Sequence, residues 1–203
     1  MAKTTSRATS SRAAASNGRH SPDPKLRATA PEIQRYGTLR SLPIGMPAKT
    51  KTESCSLLNE ILADTMVLYA LYKKHHWLVA GPTFYQLHLL FDKHAEEQAE
   101  LIDLVAERVQ SLGGIAVGDP RHAAELTTIP RPPDGAEETT VMIDRTLRAH
   151  ETVIGKVREA ITATEASEDW GTNDLLMGDV LRRNELQVWF IAEHVVDVPL
   201  ISR

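Results

Sequence analysis

The stretch KKHHWLVAGPTFYQLH (residues 73–88) places two adjacent histidines before a Gly-Pro pair and a third histidine after it. Apolar residues recur at helical spacing on both sides, so the stretch predicts the end of one helix and the start of the next. Gly81-Pro82 ends the first helix, because proline disfavours helix in the residue before it and lacks a backbone donor. The chain then folds back, so His76 and His88 can point to one place. His75 lies about 100° round the helix from His76 and cannot share its face.

Helical periodicity continues outward from this break and predicts four long helices. Two of them come before a loop of about twenty residues, in which HAAELT (residues 122–127) predicts one or two further turns. We expect Thr83 to be the N-cap of the second helix. No strand alternation is found, so the predicted fold is an all-α, ferritin-like four-helix bundle with a short helix in its long connection. The predicted helices span Thr52–Val79, Thr83–Leu112, Ala136–Thr164 and Thr172–Val196.

Length and composition predict one folded domain at residues 51–203, preceded by an arm and a surface strap at residues 1–50. Residues 1–30 have few large apolar side chains, which predicts disorder. No apolar run approaches the ~18 residues of a membrane helix, and the N-terminus lacks the apolar core of a secretory signal, although its composition also fits an organellar transit peptide. Cys55 is the only cysteine and cannot form an internal disulfide, which fits a reducing cytoplasm.

Charge is distributed unevenly along the chain. Residues 1–52 hold ten Lys and Arg against two acids, near +8, whereas the remainder holds 13 basic and 25 acidic residues, near −12. A basic arm on an acidic body is a common arrangement for binding a polyanion. The alternatives are a solubility tail, an arm used in assembly, or a second metal site made by His20, Asp23 and Glu32. The arm residues expected to contact DNA phosphates are Lys3, Arg7, Arg12, Arg19, Lys25 and Arg27.

Four residues of metal-ligand type share one face of the second helix: His88, Asp92, Asp103 and Glu107 lie within an arc of about 100°. Asp92 and Asp103 are ~16 Å apart along the axis, so one ion cannot contact both. The four residues therefore form two half-sites, unless they are merely part of a solvated face of the helix. Two copies of the helix packed antiparallel about a two-fold axis would join opposite half-sites into two equivalent centres. Histidine with mixed carboxylates is a credible ligand set for Fe(II).

These residues carry a family resemblance. HHWLVAGPTFYQLHLLFD followed by DLVAER resembles the signature of the Dps family of mini-ferritins (DNA-binding proteins from starved cells), and the likeness extends over residues 36–200. The resemblance implies a hollow homo-dodecamer with ferroxidase centres between two-fold-related subunits. One subunit would supply His76, His88 and Asp92, with Trp77 beside the centre, and the other Asp103 and Glu107. The Glu-x-x-His motif of the larger ferritins does not occur in this chain.

The chemistry that the resemblance implies is ferroxidase activity. Fe(II) would be oxidised, preferably by hydrogen peroxide and otherwise by oxygen, and the ferric product stored as mineral; zinc is a possible competitor. Iron would enter through pores, for which Glu151, with His150 nearby, and Asp144 are candidates. The extra histidines His75 and His94 would support a ligand or bind a further ion.

The resemblance also implies a cytoplasmic, nucleoid-associated protein that shields DNA from oxidative damage, binding it without sequence specificity and having no membrane partner. The main alternative is a DNA-shielding particle with minor iron chemistry. A helical bundle without metal is the remaining alternative.

Overall fold

The computed structural model describes residues 30–196, and the helices within this part of the chain form a four-helix bundle. The all-α prediction is confirmed: no residue between 30 and 196 is in a strand. The fourth bundle helix has two α-helical parts joined by a π-helical segment, Leu176–Leu181. The helices are α1 (Ala48–Leu78), α2 (Phe84–Ser111), the short α3 (Pro120–Leu126), α4 (Thr139–Ala166), α5 (Trp170–Leu175) and α6 (Arg182–Ala192), followed by a 3-10 turn at Glu193–Val195.

Several helix ends differ from the predicted bounds. Helix α1 begins four residues early, with Pro47 at the N-cap position, and α4 begins three residues late, after Glu138. Thr83 is the N-cap residue of α2, as expected, although its side chain makes no capping hydrogen bond. The prediction also missed the start of the fourth helix, where the Asp169 carboxylate accepts from the backbone N–H of Thr172. Aspartate is a strong N-cap residue, and this signal was present in the sequence.

The strap before α1 is irregular and lies on the surface, as its Pro and Gly content predicts. The Arg40 N–H and the Gln34 side chain both donate to the carbonyl oxygen of Gly113, which fixes the strap against the end of α2. Gly113 has a φ of +90°, and a β-carbon there would lie 2.4 Å from the Arg40 carbonyl oxygen. Only glycine allows the strap to approach this closely.

Tyr72, Phe91, Leu58 and Leu62 are among the largest fully buried side chains of the core. The apolar side chains of Phe91, Leu58 and Leu62 each contribute roughly 1.5–3 kcal/mol by leaving water. Helix α1 is long and apolar enough to match a membrane span by length and composition. However, 61% of its 18-residue apolar stretch is buried inside the bundle. This burial is typical of the central helix of a core.

The π-helical segment lies between the two α-helical parts of the fourth helix. The buried positions are spaced by three or four residues, so they follow one face of this helix: Asn173, Leu176, Val180, Asn184 and Gln187. Asn184 and Gln187 are both fully buried on this face.

The long connection between α2 and α4 is fixed to α1 by one buried carboxylate. Asp64 accepts hydrogen bonds from the Thr127 hydroxyl at 2.6 Å and from the Thr128 N–H at 2.9 Å. Its other oxygen lies 2.8 Å from the Lys156 ammonium on α4. Asp64 therefore compensates a mostly buried lysine while holding the loop.

Candidate metal centre

The turn between α1 and α2 brings His76 and His88 into direct contact. Their rings stack with centroids 3.8 Å apart and planes at 18°. The Nδ1 of His76 lies 2.8 Å from the carbonyl oxygen of His88, and the Nδ1 of His88 lies 2.9 Å from that of His76. His76 is in the last turn of α1, where carbonyl groups lack intrahelical donors, so the second bond also caps the helix.

These two hydrogen bonds determine the tautomer of both rings. A carbonyl oxygen only accepts, so each Nδ1 must carry the proton and donate. Each neutral ring then has its free lone pair on Nε2. Histidines that bind metals commonly donate their other N–H to a backbone carbonyl in this way, which orients the ring. Both imidazoles are thus in the form that a cation requires.

Asp92 lies one helical turn after His88 and would complete a half-site with the two histidines. Its Oδ1 lies 3.9 Å from the Nε2 of His76, and the same oxygen accepts from the Lys73 ammonium. This hydrogen bond from Lys73 holds the pKa of Asp92 below its usual value. Asp92 is therefore an ionised carboxylate at neutral pH. A metal ion bound at this position would compete with Lys73 for the carboxylate.

Asp103 and Glu107 lie further along the same face of α2, and both side chains are exposed. Among residues 30–196, no three His, Cys, Asp or Glu side chains are arranged so that they hold one metal ion. The single chain therefore presents two incomplete groups, as the ~16 Å separation along the helix requires.

The surface around the half-site is unusually apolar for an exposed helix pair. Trp77 is 70% exposed, Tyr85 67% and Leu89 48%. Phe84 packs against the ring of His88, with centroids 5.1 Å apart. Clustered apolar side chains of this size typically mark a protein contact surface.

The other histidines predicted near the site lie elsewhere. His75 is fully buried and its Nδ1 contacts the Thr146 hydroxyl at 2.9 Å, while His94 is buried beside Tyr72. Burial lowers the pKa of each to about 4. Neither belongs to the exposed face that carries His76 and His88.

The pore candidates also separate into two kinds. His150 is completely buried between Tyr72 and Asn184, so its side chain does not reach the surface beside Glu151. Glu151 is exposed on α4, and Asp144 is paired with Arg148 at 2.8 Å on the surface. The arm residues Lys3, Arg7, Arg12, Arg19, Lys25 and Arg27, together with His20 and Asp23, lie outside the described residues.

Comparison with known proteins identifies the family. The ferritin-like domain model matches residues 55–201. A DNA protection during starvation protein from Halobacterium salinarum is 35% identical over 171 residues, covering 83% of this chain and 87% of that protein. The chain belongs to the Dps family of ferritin-like proteins. The resemblance expected from the sequence is thereby confirmed.

Two further proteins match this chain over most of their own length. The structure titled DpsC from Streptomyces coelicolor superposes with a TM-score of 0.84 at 58% identity, covering 85% of this chain and all of that one. An uncharacterised protein of Kitasatospora aureofaciens is 60% identical over 139 residues, or 68% of this chain and 93% of that protein. The ferritin-like bundle of this Dps protein is therefore shared with a solved member of the family.

Proposed function

We propose that this Dps protein oxidises Fe(II), preferably with hydrogen peroxide, at centres formed between two subunits, and stores the ferric product as mineral. The observation that carries the proposal is the pair of oriented imidazoles next to Asp92. His76 and His88 both have Nε2 free, and their Nδ1–H groups are held by backbone carbonyls 2.8 and 2.9 Å away. Nitrogen and carboxylate ligands with open positions suit Fe(II) and an oxidant.

A second copy completes the centre in this proposal. If two α2 helices cross antiparallel about a two-fold axis, Asp103 and Glu107 of one copy approach His88 and Asp92 of the other. The exposed Trp77, Tyr85 and Leu89 support this contact, because an isologous interface would bury them. Twelve copies forming a shell is the assembly that we propose from family membership.

Iron is the substrate, and the ligands bind and orient it. Two Fe(II) ions and one hydrogen peroxide give two Fe(III) ions and two water molecules, with two protons consumed. Because peroxide receives both electrons in one place, hydroxyl radical is not released. Zinc has no redox chemistry, and it is expected to compete for the same nitrogen and carboxylate ligands.

The direct test is anaerobic loading with Fe(II) followed by hydrogen peroxide. Ferric absorbance reports oxidation and a spin trap reports hydroxyl radical. The His88→Ala/Asp92→Ala double variant should oxidise iron at least about tenfold more slowly, since two ligands of the centre are lost. The matched control, His194→Ala/Asp134→Ala, removes the same residue types from exposed positions and should leave the rate unchanged. Equal rates in both double variants would rule out this centre.

A second function, shielding DNA, is favoured by the charge of the arm. The curated relative from Halobacterium salinarum is named a DNA protection during starvation protein, and residues 1–30 of this chain hold six basic residues and one acid. If all six contact phosphates, the logarithm of affinity should fall with the logarithm of salt concentration at a slope of about −5 per arm. Deleting residues 1–30 should remove this dependence and leave iron oxidation unchanged. Equal DNA affinity after the deletion would exclude the arm.

A further inference from the structure

A buried chain of polar side chains crosses the centre of the bundle, and the metal centre does not use it. It joins His94 on α2, Tyr72 on α1, His150 on α4 and Asn184 on α6, and all four are at most 2% exposed. We call these four residues the core polar chain. Buried polar groups are costly unless satisfied, so the direction of each hydrogen bond is informative.

The proton positions follow from the Asn184 end of the chain. Asn184 Nδ2 donates to the carbonyl oxygen of Val180 at 2.7 Å, which fixes which side of the amide carries nitrogen. Its Oδ1 therefore faces the Nδ1 of His150, 2.9 Å away, and can only accept. His150 must then hold its proton on Nδ1. The Nε2 of the neutral ring is a lone pair.

That lone pair faces the hydroxyl group of Tyr72, which must be the donor of their hydrogen bond. The same phenolic oxygen lies 3.3 Å from the Nδ1 of His94, which can donate to it. Nε2 of His150 is thus in position to accept the proton of Tyr72. Nδ1 of His94 can donate a hydrogen bond to the same phenolic oxygen. Within residues 30–196, the phenols of Tyr36, Tyr69 and Tyr85 have no hydrogen bond to a histidine.

Tyr72 is also close to the metal centre along the chain. It precedes His76 by one helical turn, about 6 Å along the axis of α1. The phenol is fully buried and so cannot exchange its proton freely with water. A buried phenol one helical turn from a proposed iron ligand, with a preformed proton acceptor, is arranged for electron transfer coupled to proton transfer.

We propose that Tyr72 supplies one electron to the iron centre while its phenolic proton passes to Nε2 of His150. The proposal rests on the ferroxidase function above, and it applies when a centre holds one Fe(II) instead of two. Peroxide then lacks its second electron, and a single Fe(II) would release hydroxyl radical. Tyr72 provides the missing electron before this radical escapes.

The step balances in atoms and electrons. One Fe(II), one Tyr72 phenol, one hydrogen peroxide and one proton give one Fe(III), one neutral tyrosyl radical and two water molecules. The O–O bond of peroxide and the O–H bond of the phenol break, and iron and tyrosine each lose one electron. The phenolic proton goes first to His150, whose Nδ1–H remains donated to Asn184.

The protein environment favours this coupling. Burial raises the pKa of Tyr72 well above its ordinary value, so the phenol keeps its proton until it is oxidised. Burial also lowers the pKa of His150 to about 3, which keeps Nε2 free to accept at neutral pH. A phenol that has lost an electron is a far stronger acid than an imidazolium, so the proton still moves to His150.

The test is rapid freezing of the full-length protein after hydrogen peroxide is added at one Fe(II) per centre. Electron paramagnetic resonance should detect a tyrosyl radical, and Tyr72→Phe should reduce it to background while increasing trapped hydroxyl radical. Tyr69→Phe is the matched control on the same helix and should keep the signal. Uniform incorporation of 3,5-difluorotyrosine into the parent chain should replace the proton hyperfine pattern by a fluorine pattern without any substitution.

Two further readouts separate this proposal from the ferroxidase function. In iron-free protein, ¹⁵N resonances should report His150 as the Nδ1-protonated tautomer; the opposite tautomer would overturn the proposal. At two Fe(II) per centre, the parent protein should oxidise iron without a tyrosyl radical, because peroxide then takes both electrons from iron. Fast oxidation without a tyrosyl radical at one Fe(II) per centre, or a radical on Trp77, would refute the role of Tyr72 and leave the ferroxidase function standing. Slow iron oxidation by the parent protein would refute both the ferroxidase function and the role of Tyr72.

Discussion

Lowering the pH should reduce the free energy of unfolding of the bundle through His150. Burial lowers the pKa of His150 to about 3 in the folded chain, against about 6.5 in the unfolded chain. Above pH 6.5 neither state binds a proton and the residue has no pH effect. Below it the unfolded chain binds a proton that the folded chain does not, so stability falls as pH falls, until about pH 3. At pH 5 the loss from His150 alone is about 2 kcal/mol.

The substitution His150→Gln removes this pH dependence, because glutamine does not bind a proton in this pH range. The variant should be less stable at pH 7.5 by about 1–3 kcal/mol, because a smaller and more flexible side chain replaces a buried ring and must realign its hydrogen bonds to Tyr72 and Asn184. Between pH 7.5 and 5.0, however, it should lose about 2 kcal/mol less than the parent. His75 and His94, whose pKa values burial also lowers, are present in both proteins and cancel in the difference.

The assay is urea unfolding of the iron-free protein at both pH values. Protomer concentration must be equal in all samples, since association contributes to apparent stability. A stability difference between parent and variant that is the same at pH 7.5 and pH 5.0 would refute the reasoning. It would mean that His150 is charged in the fold or that its proton is not linked to folding.

Three other substitutions test separate parts of the structure. Lys73→Met should raise the affinity for Fe(II) roughly two- to fivefold, because the ammonium group no longer competes for Asp92. Equal or weaker Fe(II) binding in a calorimetric titration under nitrogen would contradict this prediction. Gly171→Ala should destabilise the fold by about 1–3 kcal/mol, because the new β-carbon would lie 2.9 Å from the Arg108 guanidinium, which Asp169 holds in place. An unchanged urea unfolding curve would exclude this steric conflict. Asp64→Asn should cost about 3 kcal/mol by leaving Lys156 without its counter-ion, and a midpoint equal to that of the parent would refute the pairing.

The sequence predicted the helical hairpin and the contact between His76 and His88 because both depend on local signals. The Gly-Pro break ends one helix, and the 3.6-residue period assigns the face of the next. The separation of the ligand-type residues of α2 into two groups follows from the same arithmetic. None of these inferences needs knowledge of what packs against the helices.

The roles of His94 and His150 could not be predicted because they depend on tertiary packing. A histidine within a helical pattern looks the same whether it faces solvent, a pore or a buried tyrosine. His150 becomes a core residue only because Asn184 meets it from another helix. The π-helical segment had no distinct sequence signal, because the buried positions around it keep the three- and four-residue spacing of an ordinary α-helix.

The central claim is that each iron centre is built from two chains, and co-expression of two inactive variants tests it most directly. One chain carries His88→Ala/Asp92→Ala and the other Asp103→Ala/Glu107→Ala, so neither alone forms a complete centre. In a mixed dimer one of the two centres combines the unmodified half of each chain. Random pairing should therefore restore about a quarter of the parent rate of peroxide-driven iron oxidation. A co-expressed protein that assembles normally but shows no activity above the separate variants would contradict the account.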